Sequence, residues 1–168
     1  MTKCLLAVLL LAAPLIAQTP ANQPPKDQAE IALNAAGCGP SAVSFDVTTD
    51  KNQHPLGLPE AGKALVYVIN WVDTTTRVGM DGSWIGAIHY RSYFSFSAEP
   101  GDHRVCLNSP RENLRGSALT IKAAAGQTYY LFLSPREEGV RWKLEEIDPA
   151  RGLFLIASSA LSTSHPKK

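Results

Sequence analysis

From Val43 onward the chain reads in short apolar alternations. Val43, Phe45 and Val47 alternate with Ser44, Asp46 and Thr48, the period of a strand with one buried face. Ala64 to Trp71 (ALVYVINW) is apolar on both faces and predicts a central strand. Arg77 to Met80 and Ser83 to Ile88 flank Asp81-Gly82, a pair suited to a type I′ hairpin turn because both central residues need positive φ. In His89 to Ser97, Tyr90, Phe94 and Phe96 fall on one face and Arg91, Tyr93, Ser95 and Ser97 on the other. Glu99-Pro100-Gly101-Asp102 predicts a type II turn. His103 to Asn108 predicts a strand in which Cys106 points away from His103, Val105 and Leu107. That strand is then covered on both sides, or a disulfide ties another segment across its outer face. Leu119-Ile121-Ala123, Thr128 to Leu133 (TYYLFL) and Val140-Trp142-Leu144 predict three more strands.

After Leu144 the period changes. Asp148 is a good N-cap and Pro149 a good first helical residue. Leu153, Ile156, Ala157 and Ala160 recur at helical spacing, with Gly152 weakening the pattern. The expectation is a mainly β protein: an antiparallel β-sandwich of seven to eight strands with a short C-terminal helix. A small closed barrel is the alternative.

The ends of the chain read differently. Lys3 precedes an apolar run of 13 residues, Leu5 to Ala17. A membrane-spanning helix needs about 20, so residues 1–17 are expected to be a signal peptide, cleaved after Ala17 or after Ala21. Cys4 precedes the apolar run rather than following it, so no lipid anchor is expected. Residues 18–37 contain Pro20, Pro24 and Pro25 and read as a flexible linker, with a short helix over Lys26 to Ala36. The β-sandwich domain is expected over 38–157 and a flexible tail over 158–168.

Composition narrows the class. The chain has 168 residues, 45% hydrophobic and 18% charged, enough for a real core and unlike a disordered chain. Its formal net charge is +1, and losing Lys3 with the leader makes it neutral. Nucleic acid is therefore not expected as a partner, nor is membrane insertion after signal cleavage. Beyond Cys4 the cysteines are Cys38 and Cys106. An even pair in an exported chain predicts one disulfide. Two free buried thiols are the alternative; no CxxC or HxxxH spacing suggests a metal pair.

Four features in order resemble a bacterial family of small exported proteins. They are Gly62-Lys63-Ala64-Leu65-Val66-Tyr67-Val68, the Val78 to Gly86 hairpin, Pro100-Gly101-Asp102-His103, and Gly126-Gln127-Thr128-Tyr129-Tyr130. The family is that of domain of unknown function 2846, similar in architecture to carboxypeptidase regulatory-like and transthyretin-like sandwiches. The resemblance covers about Gly62 to Ile156. It implies the sandwich fold and no catalytic residues. Many members are lipid-anchored, and this chain departs from them in lacking a lipobox.

Candidate chemistry is sparse. His54, His89 and His103 lie in three segments and would make a metal-dependent hydrolase only if they converged at one rim. No G-x-S-x-G is present; Gly39-Pro40-Ser41-Ala42-Val43 lacks the last glycine. Glu137-Glu138 and Glu145-Glu146 are neighbours, which a strand points to opposite faces. Trp84, just past the hairpin tip, and Tyr93, beside Arg91, are candidates for stacking on a sugar or anchoring a partner. Asp73 to Thr76 and the Asp50 to Gly62 loop are candidate surfaces.

The reading is an exported, periplasmic or secreted, non-enzymatic sandwich that needs no cofactor. It binds a protein or a cell-envelope component, with Trp84, Tyr93, Arg91 and Asp73 as binding candidates. A glycan-binding module using the aromatics is the alternative, and the histidine-based hydrolase is the second.

Overall fold

The computed structural model describes residues 38–39, 43–109, 117–135 and 142–167. The predicted leader and linker lie outside them, as do Glu137-Glu138 and Pro40 to Ala42. The elements are β1 (Phe45–Asp50), β2 (Ala64–Asn70), β3 (Thr76–Met80), β4 (Ser83–Ile88), β5 (Ser92–Ala98) and β6 (Gly101–Asn108), then β7 (Ser117–Ala123), β8 (Thr128–Pro135), β9 (Trp142–Ile147), α1 (Pro149–Ala157) and β10 (Ala160–Pro166). Six strands form one sheet, in the order β1-β10-β5-β2-β8-β9, and four form the other, β4-β3-β6-β7. The chain is a β-sandwich with a helix on the outer face of the larger sheet.

Local chemistry accounts for the elements. At the β3–β4 turn Asp81 and Gly82 have φ of 51° and 82°, the two left-handed residues of a type I′ turn. Gly101 turns the chain at φ 142°, wider than the +80° of an ideal type II turn. Asp148 caps α1 by accepting the Arg151 N–H, and Pro149 opens the helix.

Two layers of core follow from β2. Its Val66 and Val68 face the smaller sheet and pack with Val78, Ile88, Val105, Leu107 and Ile121 of that sheet and with Leu131 and Leu133 of neighbouring β8. Its Leu65, Tyr67 and Ile69 face outward, packing with Tyr93, Tyr130 and Phe132 and with Leu155 and Ile156 of α1. The Tyr67 and Tyr130 rings stack at 5.4 Å. Gly152 is the closest point of helix and sheet: a Cβ there would overlap the Tyr130 ring. The glycine that weakens the helical pattern is what lets the helix lie down.

The structure corrects three expectations. The sandwich is not purely antiparallel, because β2 pairs with β8 and β10 with β5 in parallel. Alternation records which faces are buried, not which way a partner runs, and β2 and β8 are joined through the other sheet. The described residues hold ten strands rather than seven or eight. The short helix forms where expected but does not end the fold: it crosses the outer face from β9 to β10, and the predicted tail over 158–168 is largely strand. The ordered domain therefore runs past residue 157.

Strand β10 looked like a tail because its polar residues work inside the fold. It pairs with β1 from Asp50↔Leu161 to Phe45↔Pro166. Ser162 Oγ lies 2.6 Å from Ser92 Oγ and accepts the His89 N–H; Ser164 Oγ accepts the Ala87 N–H at 3.0 Å. At the far side Ser117 Oγ accepts the Leu144 N–H at 3.0 Å. Serine hydroxyls thus join the two sheets where no ladder does. The molecule is a sandwich rather than a closed barrel.

Cys38 and Cys106 form a disulfide, Cα to Cα 5.5 Å, closing 68 residues. Cys38 lies across the outer face of the smaller sheet, where a Cβ on Gly79 would overlap its carbonyl oxygen. Gly79 is the register partner of Cys106. The second of the two arrangements predicted for Cys106 is the one adopted. The bond is compatible with an oxidising location.

Candidate functional site: a basic groove on the covered sheet

Most sequence-predicted candidates turn out to be structural. Tyr93 is fully buried under α1, because β5 is an interior strand of a sheet covered on both faces. Burial and neighbouring Tyr67 push its phenol up to about 12. Trp84 is half-buried; the Arg77 guanidinium lies 4.4 Å from its ring centroid, and a Cβ on Gly39 would meet its indole at 2.9 Å. It seats the disulfide-bonded segment. Trp84 and Tyr93 therefore do not form an exposed pair for a sugar.

The histidines do not converge. His89 Nδ1 is 2.7 Å from Thr75 Oγ1. His103 places Nδ1 2.6 Å from Asp81 Oδ2 and Nε2 2.7 Å from the Glu99 carbonyl. Both partners only accept, so the ring satisfies both as the imidazolium. The Asp81 carboxylate accordingly holds the His103 pKa above its ordinary value. Burial pushes the Asp81 carboxyl up, but the hydrogen bonds from His103 and the Arg104 N–H outweigh it and leave a net lowering. His54 sits in the loop after β1. Among the described residues no three His, Cys, Asp or Glu gather as a metal site. Of the adjacent glutamates, Glu145 pairs with Lys143 and Glu146 is exposed.

Asp73 is exposed, but the expected surface beside the hairpin tip is not there. Asp73 to Thr76 and Asp81-Gly82 lie at opposite ends of β3, about 15 Å apart at strand spacing. The threonines are engaged as well: Thr74 Oγ1 meets Ser109 Oγ at 2.9 Å, and Thr76 is buried. Buried Asn70 organises this bend, donating to the Thr74 and His89 carbonyls and accepting the Val72 N–H.

Arg91 and the Asp50 to Gly62 loop meet in one place. Three pairings bring them there. Asp50, at the end of β1, is opposite Leu161 of β10. Ala160, at the start of β10, is opposite Ser92 of β5. The Ala160 N–H donates to the Arg91 carbonyl at 3.0 Å. The end of β1, the turn before β5 and the end of α1 thereby border a groove of about 490 Å³. Lys51, His54, Tyr90 and Arg91 line it, with Thr49 and residues 157–160.

Arg91 is set by its surroundings. Its φ is 50°, uncommon for a residue with a side chain. Its guanidinium lies 5.3 Å from the Tyr90 ring centroid and 5.5 Å from that of Trp71, within cation–π range. Trp71 Nε1 in turn donates to Ser159 Oγ at 3.4 Å.

The surrounding layer is the apolar side of the exterior. Among the described residues the exposed large apolar side chains are Leu56, Leu58, Tyr90, Leu153 and Phe154. All belong to the loop, turn or helix over the larger sheet. Leu58 is 90% exposed and Phe154 67%. The loop is fixed at one point, where the Gly57 N–H donates to Tyr67 Oη at 2.8 Å.

The sequence signalled Arg91 and the loop. It did not signal Lys51, Tyr90, Ser158 or Ser159 as a group, because residues near 50, 90 and 158 are far apart along the chain and only the β1–β10–β5 pairing joins them. No helix among the described residues is long and apolar enough to cross a membrane. No family model, no curated protein and no solved structure matches the chain.

Proposed function

We propose that this protein is an exported, non-catalytic binding domain that presents the layer over its larger sheet to a protein or cell-envelope component. One observation carries the reading: every exposed large apolar side chain among the described residues lies on that layer. An apolar patch on an otherwise polar surface is a common mark of an interaction site. The basic groove at its edge supplies the polar contacts that orient a partner.

Export belongs to the same proposal. It is supported by the Leu5 to Ala17 run and by a disulfide of the kind oxidising compartments sustain. Membership of the domain of unknown function 2846 family is likewise proposed, on the order of its four sequence features. The glycan reading loses Tyr93 to the interior and finds Trp84 half-buried against the disulfide-bonded segment, and the hydrolase reading loses the convergence it required.

Photo-crosslinking in the native envelope tests the proposal. A benzoylphenylalanine placed at Phe154 is expected to capture a partner. The same probe at Thr120, exposed on the smaller sheet, is expected to capture none. Equal capture at both positions, or none at Phe154, overturns the reading. The intact mass of the recovered protein reports whether the leader has been removed.

A further inference from the structure

We propose that the groove between β1, β5 and the end of α1 is a binding site for a phosphate monoester, gripped by Lys51 and Arg91 with His54 as a third donor. The inference rests on the reading of this layer as the binding face and adds the chemistry of what it takes.

The charge balance points to an anion. Lys63, Lys143, Lys167, Arg151 and His103 each lie within ion-pair distance of a carboxylate. Lys51, Arg91 and Lys122 have no carboxylate partner among the described residues, and of these Lys51 and Arg91 border one groove. The neighbouring acid, Asp50, is turned to the Asn52 N–H and to Gln53 Nε2, each at 2.8 Å. No Asp or Glu lines the groove. Two cations sharing one concavity repel each other, and an anion between them removes that cost.

The geometry favours phosphate over carboxylate. The lining residues that carry donors belong to three chain segments: Lys51 and His54 to the loop, Arg91 to the turn, and Ser159 to the helix end. A carboxylate's two oxygens are filled by one guanidinium fork, whereas phosphate keeps further oxygens for the other donors. Ser159 Oγ accepts from Trp71 Nε1 at 3.4 Å, which occupies a lone pair and leaves its proton for an acceptor in the groove. Ser158 Oγ donates to the Phe154 carbonyl and adds no donor. The end of α1 carries partial negative charge, but the Leu155 and Ile156 carbonyls already accept the Ser158 and Ser159 N–H groups. The two aromatic rings around Arg91 hold its guanidinium in advance, which lowers the entropy lost on binding. A groove of about 490 Å³ leaves room for a substituent of glycerol or sugar size, with Tyr90 as a wall.

The test is an amide-resolved NMR titration of the mature, oxidised protein with glycerol 3-phosphate at fixed ionic strength. Saturable shifts confined to residues 49–54, 90–91 and 157–160 are expected. Lys51→Gln and Arg91→Gln are each expected to weaken binding about tenfold or more, as loss of a charged hydrogen bond does. Lys122→Gln, on the other sheet, should leave it unchanged. Arg91→Gln also removes ring contacts; Lys51→Gln removes none and keeps the test valid if the first variant unfolds. Inorganic phosphate and vesicles containing phosphatidic acid separate a free phosphate from a lipid headgroup, and saturation by either supports the site. Absence of saturation by all three probes, equal binding of sulfate, or equal weakening by Lys122→Gln overturns the proposal. If phosphate fails while Phe154 still crosslinks, only this inference falls. If Phe154 captures nothing while phosphate binds, the broader reading falls instead.

Discussion

The two outer faces of the sandwich are covered by different means. Over the smaller sheet, Cys38 and Gly39 lie on Gly79, Trp84 and Cys106, held by a covalent bond. Over the larger sheet, α1 and the loop after β1 lie on Tyr67, Tyr93, Tyr130 and Phe132, held by burial and a few hydrogen bonds. Each cover depends on a glycine at the point of closest approach. On the smaller sheet it is in the strand, Gly79; on the larger it is in the cover, Gly152. On the smaller sheet the described contact is the covalent one, a disulfide closing 68 residues. A nine-residue helix with Leu155 and Ile156 beneath it stays by packing. The packed face is the one that carries the groove and the exposed apolar residues. The bonded face carries neither among the described residues.

Removing the bond should separate the faces most sharply. Replacing both cysteines, Cys38→Ser with Cys106→Ser, is expected to cost about 4 kcal/mol, the chain-entropy figure for a loop of this length. Urea unfolding measures it. Hydrogen exchange should then rise first in β3, β4 and β6, with β2 and β8 following only on global unfolding. Uniform loosening of both sheets would show that the faces are not independent.

Gly152→Ala probes the packed face. In an ordinary helix this change stabilises by about 1 kcal/mol. Here the new methyl meets the Tyr130 ring, and overpacking of that kind costs about 1–3 kcal/mol. A net loss of stability is expected, with exchange rising over 149–157 and glycerol 3-phosphate binding weakened. A gain in stability would mean that the helix does not rest on Tyr130.

The smallest effect is a difference in pH response. The folded pKa of His103 is raised, by its hydrogen bond to Asp81 first. Its contribution is therefore fully present below the unfolded value of about 6.5 and is lost as pH rises through the folded value. The folded pKa of Asp81 is lowered, so its share is present above about 3.8 and lost as pH falls through the folded value. The pair is partly exposed, Asp81 at 46%, which limits the loss to a few tenths of a kcal/mol. On the larger sheet, Tyr93 ionises in the unfolded chain near pH 10 but in the folded one only at about 12. Stability there falls only above about pH 10. Melting temperatures should fall slightly as pH rises past about 6.5 and fall again above about pH 10. His103→Gln should abolish the first step alone.

How much of this was legible along the chain depends on the distance over which each feature is decided. The Asp81-Gly82 turn, the Asp148-Pro149 helix start and the doubly apolar β2 and β8 are local, because φ preference, capping and side-chain alternation act within a few residues. The pairing of Cys38 with Cys106 followed from their being the two cysteines beyond the leader. The burial of Tyr93 and the half-burial of Trp84 are not written in their own segments. A strand's alternation shows that two faces differ, but not that a helix or a disulfide-bonded segment covers the second.

The sequence alone therefore determined the class: a mainly β sandwich with a capped helix, a disulfide, and an apolar N-terminal run of leader length. Tertiary structure alone decided strand direction, the conversion of Ala160–Pro166 from tail to strand, and the meeting of Lys51, His54 and Arg91 in one groove. The physical reason is range. Backbone preference and periodicity are written in neighbouring residues, whereas parallel pairing and a shared groove need segments about 40 to 110 residues apart to find one another. Nothing in either segment's own pattern names its partner.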